Sequence, residues 1–446
     1  NAAIDRIRET DSSINALPTL AEERARQHAA ILERTSSNNS KRGYLHGLPI
    51  AVKDLKDVSG VRTTKGSRAF ENNIPKRSDF MVENLEDKGA IVLAKSNTPE
   101  FGAGATTFND VFGRTHNPWN IAMTCGGSSG GTAAALAAGQ IWLGTGSDLG
   151  GSLRIPASFC SVVGIRPSPG RIAAGPKDNP FATLSVDGPM ARNVGDLALA
   201  LDAMAGFNSS DPLSLPAPEI PYANSVKNPI LPKKVGYSPD LGISTVHSEV
   251  RRIAETSIAH FEQIGSHVEE AAIDLSGAND VFHVLRAHQY LGSLGELVKE
   301  SGDLIKPEVI WNVDQGRDQT VERVASAERA RADIFYKTVS FFGEYDLLVT
   351  PTVIVPPFSV ELRYITDVEG VHFDDYISWL VMCSSLSLTA CPIISIPCGF
   401  TQEGLPVGVQ IMAPRGREDL LLGAASLFEQ STGLGDIVPI DPRSPK

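Results

Sequence analysis

Residues 125–131 read CGGSSGG, and they join the loop-like segment HNPWN (116–120) to the alanine-rich run TAAALAAG (132–139). Six of these seven residues are Gly or Ser, so the backbone here is unusually free. Three explanations are open at this point. The backbone approaches a phosphate closely, serine hydroxyls are presented to one another in an unusual geometry, or the segment is only a flexible turn. The rest of the sequence has to distinguish them.

The composition of the 446 residues is that of a globular, acidic protein. Hydrophobic residues make up 42% and charged residues 21%, so a sizeable core is expected. The net charge of −12 argues against a broad phosphate-binding surface, and nucleic acid is not an expected partner. No apolar run reaches the length of a membrane span, so no membrane association is expected. The five cysteines include no CxxC pair, which favours a reducing, cytoplasmic location and argues against a zinc site.

The pattern of apolar segments predicts an α/β fold with a mixed, twisted central sheet covered by helices on both sides. The segment before residue 35 is expected to form two helices broken at Pro18, and residues 48–52 a short strand with Lys53 at its end. Residues 207–235 are rich in Pro and Ser and indicate a long surface connection. We therefore expect one domain over 1–446, with a catalytic core from 40–206 and 345–415 and a largely helical insertion over 207–344.

A second glycine- and serine-rich block, GTGSDLGGS (144–152), lies close behind the first. A helix after CGGSSGG carries the chain away and a strand over 140–147 returns it, so Ser128 and Ser152 are expected at the same end of the sheet. The N–H groups of Leu149, Gly150, Gly151 and Ser152 could then converge on one oxygen as an oxyanion hole. Lys53 ends a buried strand, where desolvation would lower its pKa and make the neutral amine a base.

These blocks resemble the amidase signature family. The resemblance rests on GLPIAVKDL (47–55), CGGSSGG (125–131) and GSDLGGSLRIPASFCSVVGIRPS (146–168), and it continues in GPMARNVGDLALAL (188–201), YDLLVTPT (345–352) and GLPVGVQIMAP (404–414). It implies the fold of that family and a nucleophile at Ser152. It also implies a relay at Ser128, held after a cis peptide bond, and a base at Lys53. No metal and no cofactor are expected.

The departures from the family pattern are small. The second block has Leu149 where Thr or Ile is commoner, and SFCSVVG (158–164) stands where SFCGVVG is usual. Neither change touches the catalytic hydroxyls, although Leu149 is expected to alter the wall of the pocket. The resemblance implies hydrolysis of amide-like C–N bonds in small molecules. Amides, aryl amides, carbamates (urethanes) and esters all share the tetrahedral chemistry, and bacterial members acting on aryl amides and urethanes are the suspected type.

Supporting and substrate-binding residues are expected around this centre. Ser129 would either donate a supporting hydrogen bond or cap the following helix. Asp148 and Arg154 are expected to hold the loop by an ion pair. The Gly- and Pro-rich loop 168–188 is a candidate lid. The substrate-binding candidates are Arg171 and Phe181 in that loop, Gly104 in the segment 100–109, and Ile354 in the segment 354–379.

Two other functions remain open from the sequence. One is that of the A subunit of a tRNA-dependent amidotransferase, which shares these motifs. The other is a nucleotide-binding module that uses CGGSSGG as a phosphate cradle, although no Gly-Lys-Ser/Thr follows that stretch. For the hydrolase itself, a monomer or a homodimer is expected.

Overall fold

The computed structural model describes residues 1–34 and 42–445. The strands are β1 (Thr19–Leu20), β2 (Pro49–Lys53), β3 (Ile91–Ser96), β4 (Phe108–Asn109), β5 (Gly113–Arg114), β6 (His116–Asn117), β7 (Asn120–Thr124), β8 (Leu143–Asp148), β9 (Val163–Arg166), β10 (Val186–Ala191), β11 (Lys234–Tyr237), β12 (His267–Glu270), β13 (Leu347–Pro351), β14 (Asp367–Val368), β15 (Val371–His372), β16 (Ile393–Phe400) and β17 (Pro406–Met412). The helices are α1 (Ala2–Ile14), α2 (Glu22–Arg34), α3 (Phe80–Asp87), α4 (Gly130–Ala137), α5 (Arg154–Cys160), α6 (Val194–Met204), α7 (Tyr222–Lys227), α8 (Ser248–Gln263), α9 (Ala278–Ser301), α10 (Pro307–Arg317), α11 (Val321–Phe341), α12 (Val381–Ser387) and α13 (Glu418–Thr432).

Eleven of these strands form one mixed sheet in the order β1-β3-β2-β8-β10-β9-β16-β17-β13-β11-β12. Strand β2 runs parallel to both β3 and β8, whereas β10 is antiparallel to β8 and β9. The centre of the sheet comes from both ends of the chain, because β9 from the first half pairs with β16 from the second. The predicted α/β fold with a mixed central sheet is confirmed.

The central strands are buried along their whole length, as expected of a sheet with helices on both faces. Every residue of β3, β8 and β10 is buried. Helix α4 is buried throughout as well, and its sequence GGTAAALA explains how it can be. Its small side chains let the helix lie close to the sheet. This close packing fixes the position, relative to β8, of the serine and glycine block at which the helix begins.

The segment 207–344 is largely helical, as expected, but it also contributes two strands to the sheet. Strands β11 and β12 pair in parallel with each other, and β11 pairs in parallel with β13. Helix α8 forms the crossover between β11 and β12, so this part of the segment is a βαβ unit at the sheet edge. The sequence interpretation assigned residues 234–235 to the end of the Pro- and Ser-rich connection and did not predict these strands.

At the N-terminus the two expected helices, α1 and α2, are present. The break at Pro18 is followed by the short strand β1, which pairs with β3. Among the helices described, none is both long enough and apolar enough to cross a bilayer.

Candidate active site

Lys53 is the last residue of β2, and its side chain is fully buried. Its Nζ atom donates hydrogen bonds to three hydroxyls, those of Ser128 at 2.7 Å, Ser129 at 2.9 Å and Ser147 at 3.0 Å. Its backbone N–H donates to the Thr145 hydroxyl at 3.0 Å. One amine therefore connects β2, the start of α4 and the end of β8.

Burial lowers the pKa of Lys53 from 10.5 to about 7. Removing the ammonium from water disfavours its charged form, and the negative charges of Asp187 and Asp148 only partly oppose this. A large fraction of Lys53 is then a neutral amine near neutral pH. A neutral amine that contacts a serine hydroxyl can accept its proton.

Ser128 follows a cis peptide bond from Gly127, as the family resemblance implied. Its carbonyl oxygen accepts a hydrogen bond from the Thr98 hydroxyl at 2.9 Å. Gly127 is required by close packing, because a Cβ atom there would lie 2.9 Å from the carbonyl carbon of Ala105. The glycines of CGGSSGG thus allow the backbone to place Ser128 against Lys53.

Ser129 is the N-cap residue of α4, but its side chain makes no capping hydrogen bond. Its hydroxyl instead accepts from Lys53, and its backbone N–H donates to the carbonyl oxygen of Ser152 at 3.1 Å. Of the two roles considered for Ser129, the geometry therefore favours support of the centre over helix capping. The same contact links the two serine-containing blocks.

The loop that carries Ser152 is organised by Asp148, which is fully buried. Its carboxylate accepts the backbone N–H of Gly151 at 2.9 Å and of Leu153 at 3.2 Å. Arg154 binds the same carboxylate through two hydrogen bonds of 3.0 Å, so the expected ion pair is present. Burial would raise the pKa of Asp148, but Arg154 and Arg166 outweigh it and hold that pKa below its usual range.

The oxyanion-hole expectation needs one correction. The Gly151 N–H is already donated to Asp148, so it is not free for a substrate oxygen in this arrangement. The remaining N–H groups of the expected set belong to Leu149, Gly150 and Ser152. All three of these residues line a cavity of about 240 Å³ that also contains Ser128 and Ser147.

Of the four substrate-binding candidates from the sequence, only Gly104 lines this cavity. Gly104 lines it, together with Phe101 and Ala105 of the predicted wall segment. Arg171 does not, since it forms an ion pair with Glu418 at 3.4 Å.

The other two candidates also lie outside the cavity lining. Phe181 is 72% exposed, and Ile354 is fully buried in the main hydrophobic core. The candidate lid contributes Ser185, close to its end. None of Arg171, Phe181 and Ile354 lines the cavity in this structure. Arg171 forms an ion pair with Glu418, Phe181 is exposed to solvent, and Ile354 packs in the hydrophobic core.

Helix α9 supplies a cavity wall that sequence reasoning missed. Six of its residues line the cavity: Phe282, Arg286, Gln289, Tyr290, Ser293 and Leu294. Their spacing of three and four places them on one helix face, and this periodicity was the signal available in the sequence. The wall reaches the serine loop directly, because a Cβ atom on Gly150 would lie 2.6 Å from the Phe282 ring.

No group of three His, Cys, Asp or Glu side chains in the described ranges is arranged to hold a metal ion. All five cysteines are buried and unpaired, and Cys160 is one of them, as expected. Burial raises the pKa of Cys160 well above its ordinary value, so its thiol stays protonated.

Comparison with known proteins shows the family to which the chain belongs. The family model described as Amidase matches residues 1–422. The chain is 34% identical over 454 residues to an acylamidase of Rhodococcus erythropolis, covering 99% of this chain and 93% of that protein. It is 32% identical over 465 residues to the A subunit of the glutamyl-tRNA(Gln) amidotransferase of Alkaliphilus metalliredigens, covering 98% and 93%.

Among solved structures, that of a bacterial aryl acylamidase of the amidase signature family superimposes with a TM-score of 0.90 at 27% identity. The match covers 98% of this chain and 94% of the other. The signature motifs, the family model and these relatives agree: the chain belongs to the Amidase family and is an amidohydrolase of the amidase signature type.

Proposed function

We propose that this protein is a serine hydrolase that cleaves amide-like C–N bonds through an acyl-enzyme on Ser152. The observation that carries the proposal is the buried amine of Lys53, which lies 2.7 Å from the Ser128 hydroxyl and has a pKa of about 7. An amine in this state can accept a proton that the relay serine passes on.

In the first half of the reaction the Ser152 Oγ attacks the substrate carbonyl carbon. Ser152 passes its proton to Ser128, and Ser128 passes its own to neutral Lys53. The carbonyl oxygen becomes an oxyanion, which the N–H groups of Leu149, Gly150 and Ser152 would stabilise. The hydroxyls of Ser152 and Ser128 share no hydrogen bond among the residues described, so they must approach when substrate binds. Catalytic contacts commonly tighten in this way.

In the second half the relay runs in reverse. Protonated Lys53 and Ser128 return the proton to the departing amine as the C–N bond breaks, which leaves an ester on Ser152. A water molecule then attacks this acyl-enzyme, and its proton follows the same path to Lys53. As the bond between the acyl carbon and Ser152 Oγ breaks, Lys53 returns this proton through Ser128 to Ser152 Oγ, so the acid is released and the Ser152 hydroxyl is restored.

For the substrate we propose small amides and aryl amides, with carbamates and esters as further substrates. The acylamidase and aryl acylamidase relatives support the first two. Cleavage of a carbamate C–N bond would leave an alkoxycarbonyl group on Ser152. Water would release it as a carbonic acid monoester, which decomposes to carbon dioxide and an alcohol.

A second candidate function is that of the corresponding component of a tRNA-dependent amidotransferase, and the 32% identity to such a protein favours it. The discriminating measurement is turnover of a chromogenic acyl-anilide by the purified chain alone. We expect turnover without any partner. If the chain is inactive alone but gains activity with amidotransferase partner proteins, the independent hydrolase is wrong. A nucleotide-dependent rise in melting temperature would favour the nucleotide-binding alternative instead.

The covalent step has its own test. Treatment with a fluorophosphonate followed by intact-mass and peptide analysis should give a single adduct on Ser152, and the Ser152→Ala variant should give none. Ser147→Ala is a matched control, because Ser147 lines the same cavity and accepts from the same amine. It should still be labelled at Ser152. A label on Ser128 or Cys160 would contradict the proposed nucleophile.

A further inference from the structure

Arg286 of α9 lines the cavity with its side chain almost completely buried, at 5% exposure. Both hydrogen bonds that its guanidinium makes to described residues come from Nη2. Its Nε atom is buried and has no acceptor in the part of the chain that the structure describes. None of the ion pairs found over 1–34 and 42–445 includes Arg286. A buried positive charge without a carboxylate partner is strongly unfavourable, so its persistence requires an explanation.

The guanidinium is held in one place by two tyrosines. Its Nη2 donates to the hydroxyls of Tyr290 at 3.1 Å and Tyr376 at 2.8 Å, and the group lies 4.3 Å from the centre of the Tyr290 ring. Asn312 donates to the Tyr376 hydroxyl from another side. Burial raises the pKa of Tyr376 to about 12, so its hydroxyl stays neutral and does not cancel the charge. Arg286 is therefore positioned but not neutralised.

The other charged side chain among the described residues that line the cavity is also positive. Lys65 also lines it, and its Nζ lies 5.0 Å from the centre of the Phe70 ring. No Asp or Glu is among the described residues that line the cavity. This contrasts with the whole chain, whose net charge is −12. A cavity with two cations and no anion is complementary to a negatively charged ligand.

We propose that Arg286 is a specificity-determining residue that binds a carboxylate group of the substrate. The preferred substrates would then be amides that carry a carboxylate in the acyl or the amine part, away from the scissile bond. This inference rests on the proposed function, because Arg286 and Ser152 line the same cavity. Guanidinium is the cation best suited to a carboxylate, with planar N–H groups and a charge that is never lost.

The first experiment compares substrates that carry a carboxylate with matched neutral analogues. N-succinyl-4-nitroanilide is paired with N-butyryl-4-nitroanilide, and N-butyryl-4-aminobenzoate with N-butyryl-4-aminobenzamide. We expect kcat/KM to be about 10- to 100-fold higher for the acid in at least one pair, the range expected for a charged hydrogen bond. Equal values within both pairs, or a preference for the neutral member, would overturn the proposal. Absence of turnover with all four would count against the proposed function instead.

The second experiment uses variants and does not depend on turnover. Binding of each of these four compounds is measured by calorimetry with the inactive Ser152→Ala protein, alone and combined with Arg286→Gln or Arg286→Lys. Arg252→Gln is the matched control, because this arginine is 60% exposed on α8. We expect Arg286→Gln to weaken binding of at least one acid about 10-fold or more and to change binding of its neutral partner far less, while Arg286→Lys recovers part of the loss. Thermal unfolding checks that each variant folds. Equal weakening of acid and neutral ligand would show that Arg286 only supports the fold.

Discussion

Replacing Lys53 by Met should abolish activity and at the same time make the protein more stable at pH 7. Lys53 is fully buried, and its pKa falls from 10.5 in water to about 7 in the fold. At pH 7 the unfolded chain holds a protonated lysine there, whereas the folded chain holds one that is about half deprotonated. The difference of about 3.5 pH units corresponds to about 5 kcal/mol of lost folding stability.

The opposing contribution comes from the hydrogen bonds of the amine. Lys53 donates to the hydroxyls of Ser128, Ser129 and Ser147. Each such bond contributes about 1 kcal/mol, so the three together offset about 3 kcal/mol. Methionine has a similar length and no charge to desolvate, so it should fill the same space. The net expectation is a gain of about 2 kcal/mol for Lys53→Met at pH 7.

The pH dependence makes the test specific. Between pH 7 and 10.5 the folded state of the wild type binds fewer protons than the unfolded state. The wild type therefore gains stability as pH rises, and Lys53→Met lacks this contribution. The advantage of the variant should thus shrink by about 1.4 kcal/mol for each pH unit above 7. Urea unfolding followed by tryptophan fluorescence at pH 7, 8 and 9 measures this difference, and anilide turnover measures the loss of activity. A variant that is less stable than wild type at pH 7, with a difference that does not change with pH, would refute the reasoning.

Further predictions follow from the same site. Because Lys53 must be neutral to act, kcat/KM should fall about tenfold per pH unit below pH 7 and level off above it; a flat profile from pH 5 to 9 would indicate a different base. The Asp187 charge raises the pKa of Lys53, so Asp187→Asn should move the midpoint of this profile to lower pH. An unchanged or higher midpoint would contradict that sign. Removing Arg154 would leave the buried carboxylate of Asp148 short of its main partner, so Arg154→Met should destabilise the protein by about 3–5 kcal/mol in urea unfolding.

The central part of the fold could be predicted from the sequence, because the strands there have simple signatures. The segment 48–52 is a short apolar run with a clear boundary, and it forms β2 with one residue of shift. Strand β12 escaped prediction for the opposite reason. The residues of β12 are exposed or half-buried, and their sequence HVEE has no apolar run. Such an edge strand exists because β11 offers it a pairing partner, and pairing is not visible in a local pattern.

The groups proposed to react could also be located from the sequence, because chemistry restricts which residues can occupy those positions. Only glycine allows the approach of residue 127 to Ala105, and a buried lysine needs hydrogen-bond acceptors, which for Lys53 are serine hydroxyls. Substrate-binding residues have no such restriction. Arg171 looked equally suitable in sequence, but its charge is used by Glu418, and nothing near it in the chain indicates that pairing. Because residues 171 and 418 are far apart in sequence, this ion pair could not be predicted.

The residues proposed to react and those proposed to contact the substrate come from different parts of the fold. Lys53 ends β2, Ser128 lies just before α4, and Ser152 lies just after β8. The positions of these three elements are fixed by pairing and by close packing of small residues. The facing wall is α9, from the segment between the two halves of the sheet, and it meets the serine loop through side chains such as Phe282. Side chains on a helix face that lines a cavity can change without disturbing the sheet, so this wall is free to vary while the reaction stays the same. Motifs therefore predict the reaction of such an enzyme, and its substrate has to be sought in the charge and shape of α9.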